Sequence, residues 1–148
     1  MSAFRIYLRV VSSTLQPEEI SARLDVEPDE SMSIGSRRRP ESPPRSDATW
    51  IRRAEVESPD ARPEDLEPVI LGWGLDFAKA IGSLVESGVA FASLEIVQQI
   101  RDIDNGREKG IFLGSDLMVW LGVAKVSLDV DQYIYHECGD ELGKSTHG

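Results

Sequence analysis

The side chains in this chain that could do chemistry are carboxylates, an arginine cluster and a small group around one cysteine. Asp129 and Asp131 lie two apart where Val126, Leu128 and Val130 alternate with Ser127, Asp129 and Asp131. On an extended strand they share a face, and paired carboxylates can hold a metal or share a proton. With an apolar reverse face, the plainer expectation is that both simply meet solvent. Tyr133, Tyr135, His136, Glu137 and Cys138 crowd the end of that strand. His136 and Cys138 supply two metal ligands where a structural zinc needs four, and there is no second cysteine. Asp102-Ile103-Asp104-Asn105-Gly106-Arg107-Glu108 has the look of a calcium loop without its length, its closing glutamate or its helices. The glycine-serine pairs at Gly35, Gly82 and Gly114 belong to no nucleophile elbow or phosphate loop. No catalytic residue, metal or cofactor is therefore expected.

Charge is the stronger signal. The chain has 148 residues and a net charge of -10. Residues 1–53 hold nine basic and eight acidic side chains, residues 54–148 seven and eighteen. Glu55, Glu57, Asp60, Glu64, Asp65 and Glu67 form one acidic run. Such a field repels nucleic acid and steers basic partners. The exception is Arg37-Arg38-Arg39 with Arg45, Arg52 and Arg53, the first four in a Ser/Pro-rich stretch that reads as a solvated loop. No nucleic-acid motif accompanies it. No apolar run is long enough to span a membrane, no signal segment opens the chain, and one cysteine makes no internal disulfide. A cytoplasmic protein is expected.

The elements that must position these residues follow from periodicity. Phe4, Ile6, Leu8 and Val10 alternate with Arg5, Tyr7 and Arg9, a half-buried strand. Gln16-Pro17-Glu18-Glu19 predicts a helix start, with Gln16 as cap, Pro17 first, Glu19 reaching back, and Leu15 and Ile20 as a staple. The helix stops by Val26-Glu27-Pro28. A weak strand is expected over Ser31–Gly35 and a clearer one from Ala48 to Val56, with Trp50 a packing residue or, alternatively, a stacking platform. A short helix starts at Pro63 or Glu64, and Pro68 either kinks it or opens a second first turn. A stronger helix carries Trp73, Phe77, Ile81, Leu84 and Val85 to Gly88, with Gly82 placed for close packing on a sheet. Strands are expected over Ala90–Arg101 and Lys109–Gly114, joined by Asn105-Gly106, then a helix capped by Ser115, then the last strand with its apolar face inward. Three helical regions segregated from these strands give an α+β domain over residues 1–136 with a flexible tail over 137–148. The expected architecture is a mostly antiparallel sheet with helices packed on one face, a ferredoxin-like core extended by a hairpin or half-repeat.

Several phrases taken in order resemble the bacterial family called domain of unknown function 4279 (DUF4279). They are Phe4 to Val10 followed by Leu15-Gln16-Pro17-Glu18-Glu19-Ile20, Leu24-Asp25-Val26-Glu27-Pro28 leading to Ser33-Ile34-Gly35, Trp50 with its aliphatic neighbour, and Leu128-Asp129-Val130-Asp131-Gln132-Tyr133. The resemblance covers roughly residues 3 to 135 and carries over no catalytic residue. It implies a small bacterial cytosolic domain, with accessory or immunity roles beside toxin genes among its members.

The leading functional expectation is a non-enzymatic protein-binding domain, in its most specific form an immunity-type inhibitor of a bacterial toxin. Its contacts would lie at Glu55, Glu57, Asp60, Glu64 and Asp65, and at Asp129, Asp131 and Tyr133. The alternatives are a small-ligand or catalytic domain with a cleft near Trp50, Arg52, Tyr133 and Tyr135, or a homodimer of structural role joined by an edge strand. The partner would be a basic protein such as a toxin, with no nucleic acid and no membrane.

Overall fold

Period-two alternation puts Phe4, Ile6, Leu8, Val10 and Ser12 on the buried side of β1 (Phe4–Ser12). In the computed structural model, which describes residues 4–56, 60–106 and 110–135, β1 is the central strand. It is followed by α1 (Pro17–Leu24), β2 (Glu30–Met32), β3 (Ala48–Ala54), a 3-10 turn (Pro63–Leu66), α2 (Glu67–Gly72), α3 (Leu75–Glu86), β4 (Phe91–Ile100), α4 (Ser115–Ala124) and β5 (Ser127–Ile134). The sheet order is β2-β3-β1-β4-β5. β1 pairs antiparallel with β3 and β4, β2 antiparallel with β3, and β5 parallel with β4. The first four strands have the order and directions of a ferredoxin-like core, so the α+β class stands. The addition is a helix and a parallel strand, α4 and β5, rather than a hairpin.

Local chemistry explains the helix starts. The Gln16 amide donates to Glu19 Oε1 at 2.9 Å, Pro17 is the first helical residue, and Leu15 and Ile20 are both buried. The Gln16 side chain also accepts from Ile34 N at 2.9 Å, tying α1 to the segment after β2. Asp25 closes α1 in the left-handed conformation. Pro68 opens α2, a second first turn after the 3-10 turn. Ser115 is not the cap of α4. Gly114 is, and its N–H donates to the Glu67 carboxylate from α2. A carboxylate from another helix thus meets the positive end of α4, which the local sequence does not reveal.

Two further expectations are corrected. Residues 110–114 form no strand. β5 occupies the place beside β4 that a hairpin partner would need. The apolar side of β5 is not core either, because as an edge strand it leaves Leu128, Val130 and Ile134 exposed.

One core gathers the buried side chains of all four helices against β1, β3 and β4. Its aromatic centre is Trp50, Trp73, Phe77 and Trp120, with successive centroids 5.8 to 6.3 Å apart. The buried indole donors are satisfied: Trp50 Nε1 by Ser21 Oγ and Trp120 Nε1 by the Gly74 carbonyl, each at 3.0 Å. Gly82 does serve close packing, but against α4 rather than the sheet. A Cβ there would collide with the Val123 carbonyl oxygen. Gly82→Ala is expected to destabilise the fold by about 1–3 kcal/mol through overpacking at the α3–α4 contact. Urea denaturation would check it, and a change near zero would show that the two helices can separate at no cost.

Candidate functional site

Helices on one side leave the opposite face of the sheet bare among the described residues, and the register fixes what stands there. Arg53, Tyr7, Glu95 and Asp129 form a row across β3, β1, β4 and β5. Ile51, Arg9, Ser93 and Ser127 form the row on one side, and Arg5, Val97 and Asp131 continue on the other. The face is electrically divided. Arg5, Arg9 and Arg53 stand on β1 and β3, and Glu95, Asp129 and Asp131 on β4 and β5. A hollow of about 180 Å³ lies in the basic half, lined by Arg5, Tyr7, Glu30, Ile51 and Arg53. There Arg53 Nη2 meets Glu30 Oε2 at 2.7 Å.

The acidic half has one buried member. Glu95 is 6% exposed, while Asp129 and Asp131 are exposed. Ligand oxygens of the three lie within 4.8 Å of one another. Oxygen donors at that spacing suit a hard divalent cation, while burial by itself favours the protonated form of Glu95. Desolvation raises the Glu95 pKa above the ordinary carboxylate value, and the charge and hydrogen bond of Asp129 raise it further. The Ser93 hydroxyl, donating to Glu95 Oε2 at 2.5 Å, and the charge of Arg9 pull the other way. Tyr7 is raised as well, first by burial and then by Glu95, so its phenol stays a donor at neutral pH.

The expected site residues divide among three places. Asp129, Asp131 and Tyr133 share the bare face on β5. Trp50 is fully buried on the helix side of β3, out of reach of any stacking ligand. Arg52 is half-buried on that same side, its guanidinium 4.6 Å from the Trp73 ring centroid and 4.9 Å from that of Phe77. Burial pushes its pKa down and Asp29 pushes it up, and the group keeps its charge. Trp50 and Arg52 therefore share no surface with Tyr133, which lies on the opposite face three strands away, or with Tyr135 beyond β5, whose ring lies 5.5 Å from Arg101. Glu55 follows β3 and is exposed. Glu64 and Asp65 serve the 3-10 turn: Glu64 meets Arg62 Nε at 3.4 Å, and Asp65 accepts from Arg62 N at 2.8 Å. Asp60 is exposed near them, and Glu57 lies outside the described residues, as do His136, Cys138 and the tail from 137.

Glu95 is the member of this candidate site that sequence reasoning missed. Its strand reads as alternating, with Glu95 on the polar side, and only the parallel arrival of β5 buries it beside Asp129. No single helix is long and apolar enough to cross a membrane.

The chain is a ferredoxin-like α+β domain whose helix-free sheet face is divided between basic and acidic strands. The chain belongs to the family described as domain of unknown function (DUF4279), whose profile matches residues 2–135. The comparison with curated proteins found no match, and neither did the comparison with solved structures.

The raised Glu95 pKa has a definite sign. A carboxyl that holds its proton more tightly in the folded state adds stability at low pH and loses it as pH rises through the window above the ordinary carboxylate pKa. Glu95→Gln is expected to flatten that part of the pH–stability curve and to raise the melting temperature at neutral pH. Thermal melts from about pH 4 to about pH 8 would check it. A variant with the wild-type slope would remove Glu95 as its source.

Proposed function

We propose that this protein is a protein-binding domain that receives an extended basic segment of a partner on the outer edge of β5. The observation that carries the reading is the edge itself. All eight residues of β5 are exposed, and no described strand pairs with its outer side. An unpaired strand of that length offers a row of backbone donors and acceptors for strand addition. Its two sides state what the partner should carry. Asp129 and Asp131 on the bare face call for basic side chains, and Leu128, Val130 and Ile134 on the other call for apolar ones. A second copy is the poorer occupant of this edge. Antiparallel β5–β5 pairing would crowd four aspartates beside two Glu95 carboxylates.

In its most specific form the domain is an immunity-type inhibitor that masks a basic surface of a bacterial toxin in the cytoplasm. Net charge of -10, one cysteine and the family membership support that form. Long-range attraction would speed encounter and weaken with salt.

The probe is an eight-residue peptide alternating lysine and valine, compared with its glutamate-valine counterpart. The lysine peptide is expected to shift amide resonances along β5 in NMR titration, with affinity falling as salt rises. Asp129→Lys with Asp131→Lys is expected to weaken it at least about tenfold. Equal binding of the two peptides, or shifts that spare β5, would sink the proposal.

A further inference from the structure

The charge division of the bare face is matched to itself. Its basic half lies on β3 and β1 and its acidic half on β4 and β5, on either side of a line that runs along the strands between β1 and β4. Rotation by half a turn about that line brings β1 of one copy over β4 of the other, and β3 over β5. Rows are preserved by this operation. Arg53 of each copy then faces Asp129 of the other, and Tyr7 faces Glu95. We propose that two copies of the chain associate through these helix-free faces, about a two-fold axis parallel to the strands.

Three features of the face support a second copy as the occupant. Complementarity is built into one surface, which is the condition for an isologous contact. Arg5 and Arg9 make no ion pair with any described residue, and Arg53 is held toward the face by Glu30. The face is also large enough. The four overlapping strands, at about 4.8 Å spacing along about eight residues, give roughly 500 Å² per copy and about 1,000 Å² in all, at the lower limit for a specific interface. Phe91 and Tyr133, 54% and 53% exposed on this face, would have apolar surface removed from solvent in the pair. The backbone edge of β5 remains open in this arrangement while Asp129 is shared with Arg53 of the second copy, and the dimer does not depend on the proposed function.

Sedimentation equilibrium of the full chain over a concentration series tests it, with circular dichroism confirming the fold of each variant. The wild type is expected to dimerise. Arg53→Glu alone and Asp129→Arg alone should each weaken the dimer at least about tenfold, because each places like charges opposite one another. Mixing the two single variants should restore it. In a mixed pair the glutamate introduced at position 53 meets the arginine introduced at position 129, and the native Asp129 and Arg53 meet in the other contact. The same rescue is expected within the double variant. Within one copy Arg53 and Asp129 are three strand spacings apart, about 14 Å, too far for an internal pair to mimic the rescue. A wild type that stays monomeric, a dimer indifferent to either reversal, or failure of the mixture to recover would each overturn the proposal. Arg53→Glu, which releases Asp129 from the second copy, should not weaken lysine-valine peptide binding on β5, and this separates the result from the fate of the proposed function.

Discussion

The central position of β1 constrains the whole molecule. A strand paired on both sides has no edge to hide, so it can reconcile a core and a surface only by alternating. Phe4, Ile6, Leu8 and Val10 commit one side to burial, and every helix must then gather on that side. The price of this economy is a five-stranded face with no layer over it among the described residues. That face cannot be apolar without inviting aggregation, and it cannot carry one sign of charge without straining the sheet. Opposite charges on opposite pairs of strands satisfy both conditions.

On the covered side, stability depends on contacts between elements that are distant in sequence. Trp50, Trp73, Phe77 and Trp120 come from β3, the α2–α3 joint, α3 and α4. Arg52 lies against two of these rings, its guanidinium stacked where a neutral side chain would be the simpler choice. A weakly hydrated planar cation tolerates that position better than an ammonium would. Similarly, α4 takes its capping charge from Glu67 and its close approach to α3 from Gly82. Each of these substitutes a tertiary contact for a local signal.

That substitution separates what the sequence made legible from what it did not. β1 and the start of α1 were legible because alternation and the Gln16-Pro17-Glu19 pattern act within a few residues. The family was legible because short phrases kept their order over nearly the whole chain. The end of the chain was harder. Leu128, Val130 and Ile134 alternate as a half-buried strand should, but periodicity does not say whether a strand lies in the middle or at an edge. Asn105-Gly106 signalled a hairpin, and a neighbour of β4 does exist, but it arrives through α4 and runs parallel. Asp129 and Asp131 could be placed on one face by counting. Glu95 could not be joined to them, since its partnership depends on register between strands separated by a helix.

The α4–β5 extension therefore creates the surface chemistry as well as enlarging the sheet. A four-stranded core would end at β4, and Glu95 would be an ordinary edge carboxylate open to water. Adding β5 covers it, places Asp129 directly beside it and raises its proton affinity. The same addition moves the exposed edge outward to a strand that is apolar on one side and acidic on the other. One helix and one strand thus convert a solvated carboxylate into a buried one, complete the acidic half of a divided face, and supply an unpaired edge. Removing β5 would undo all three together, because each is a consequence of the same parallel register.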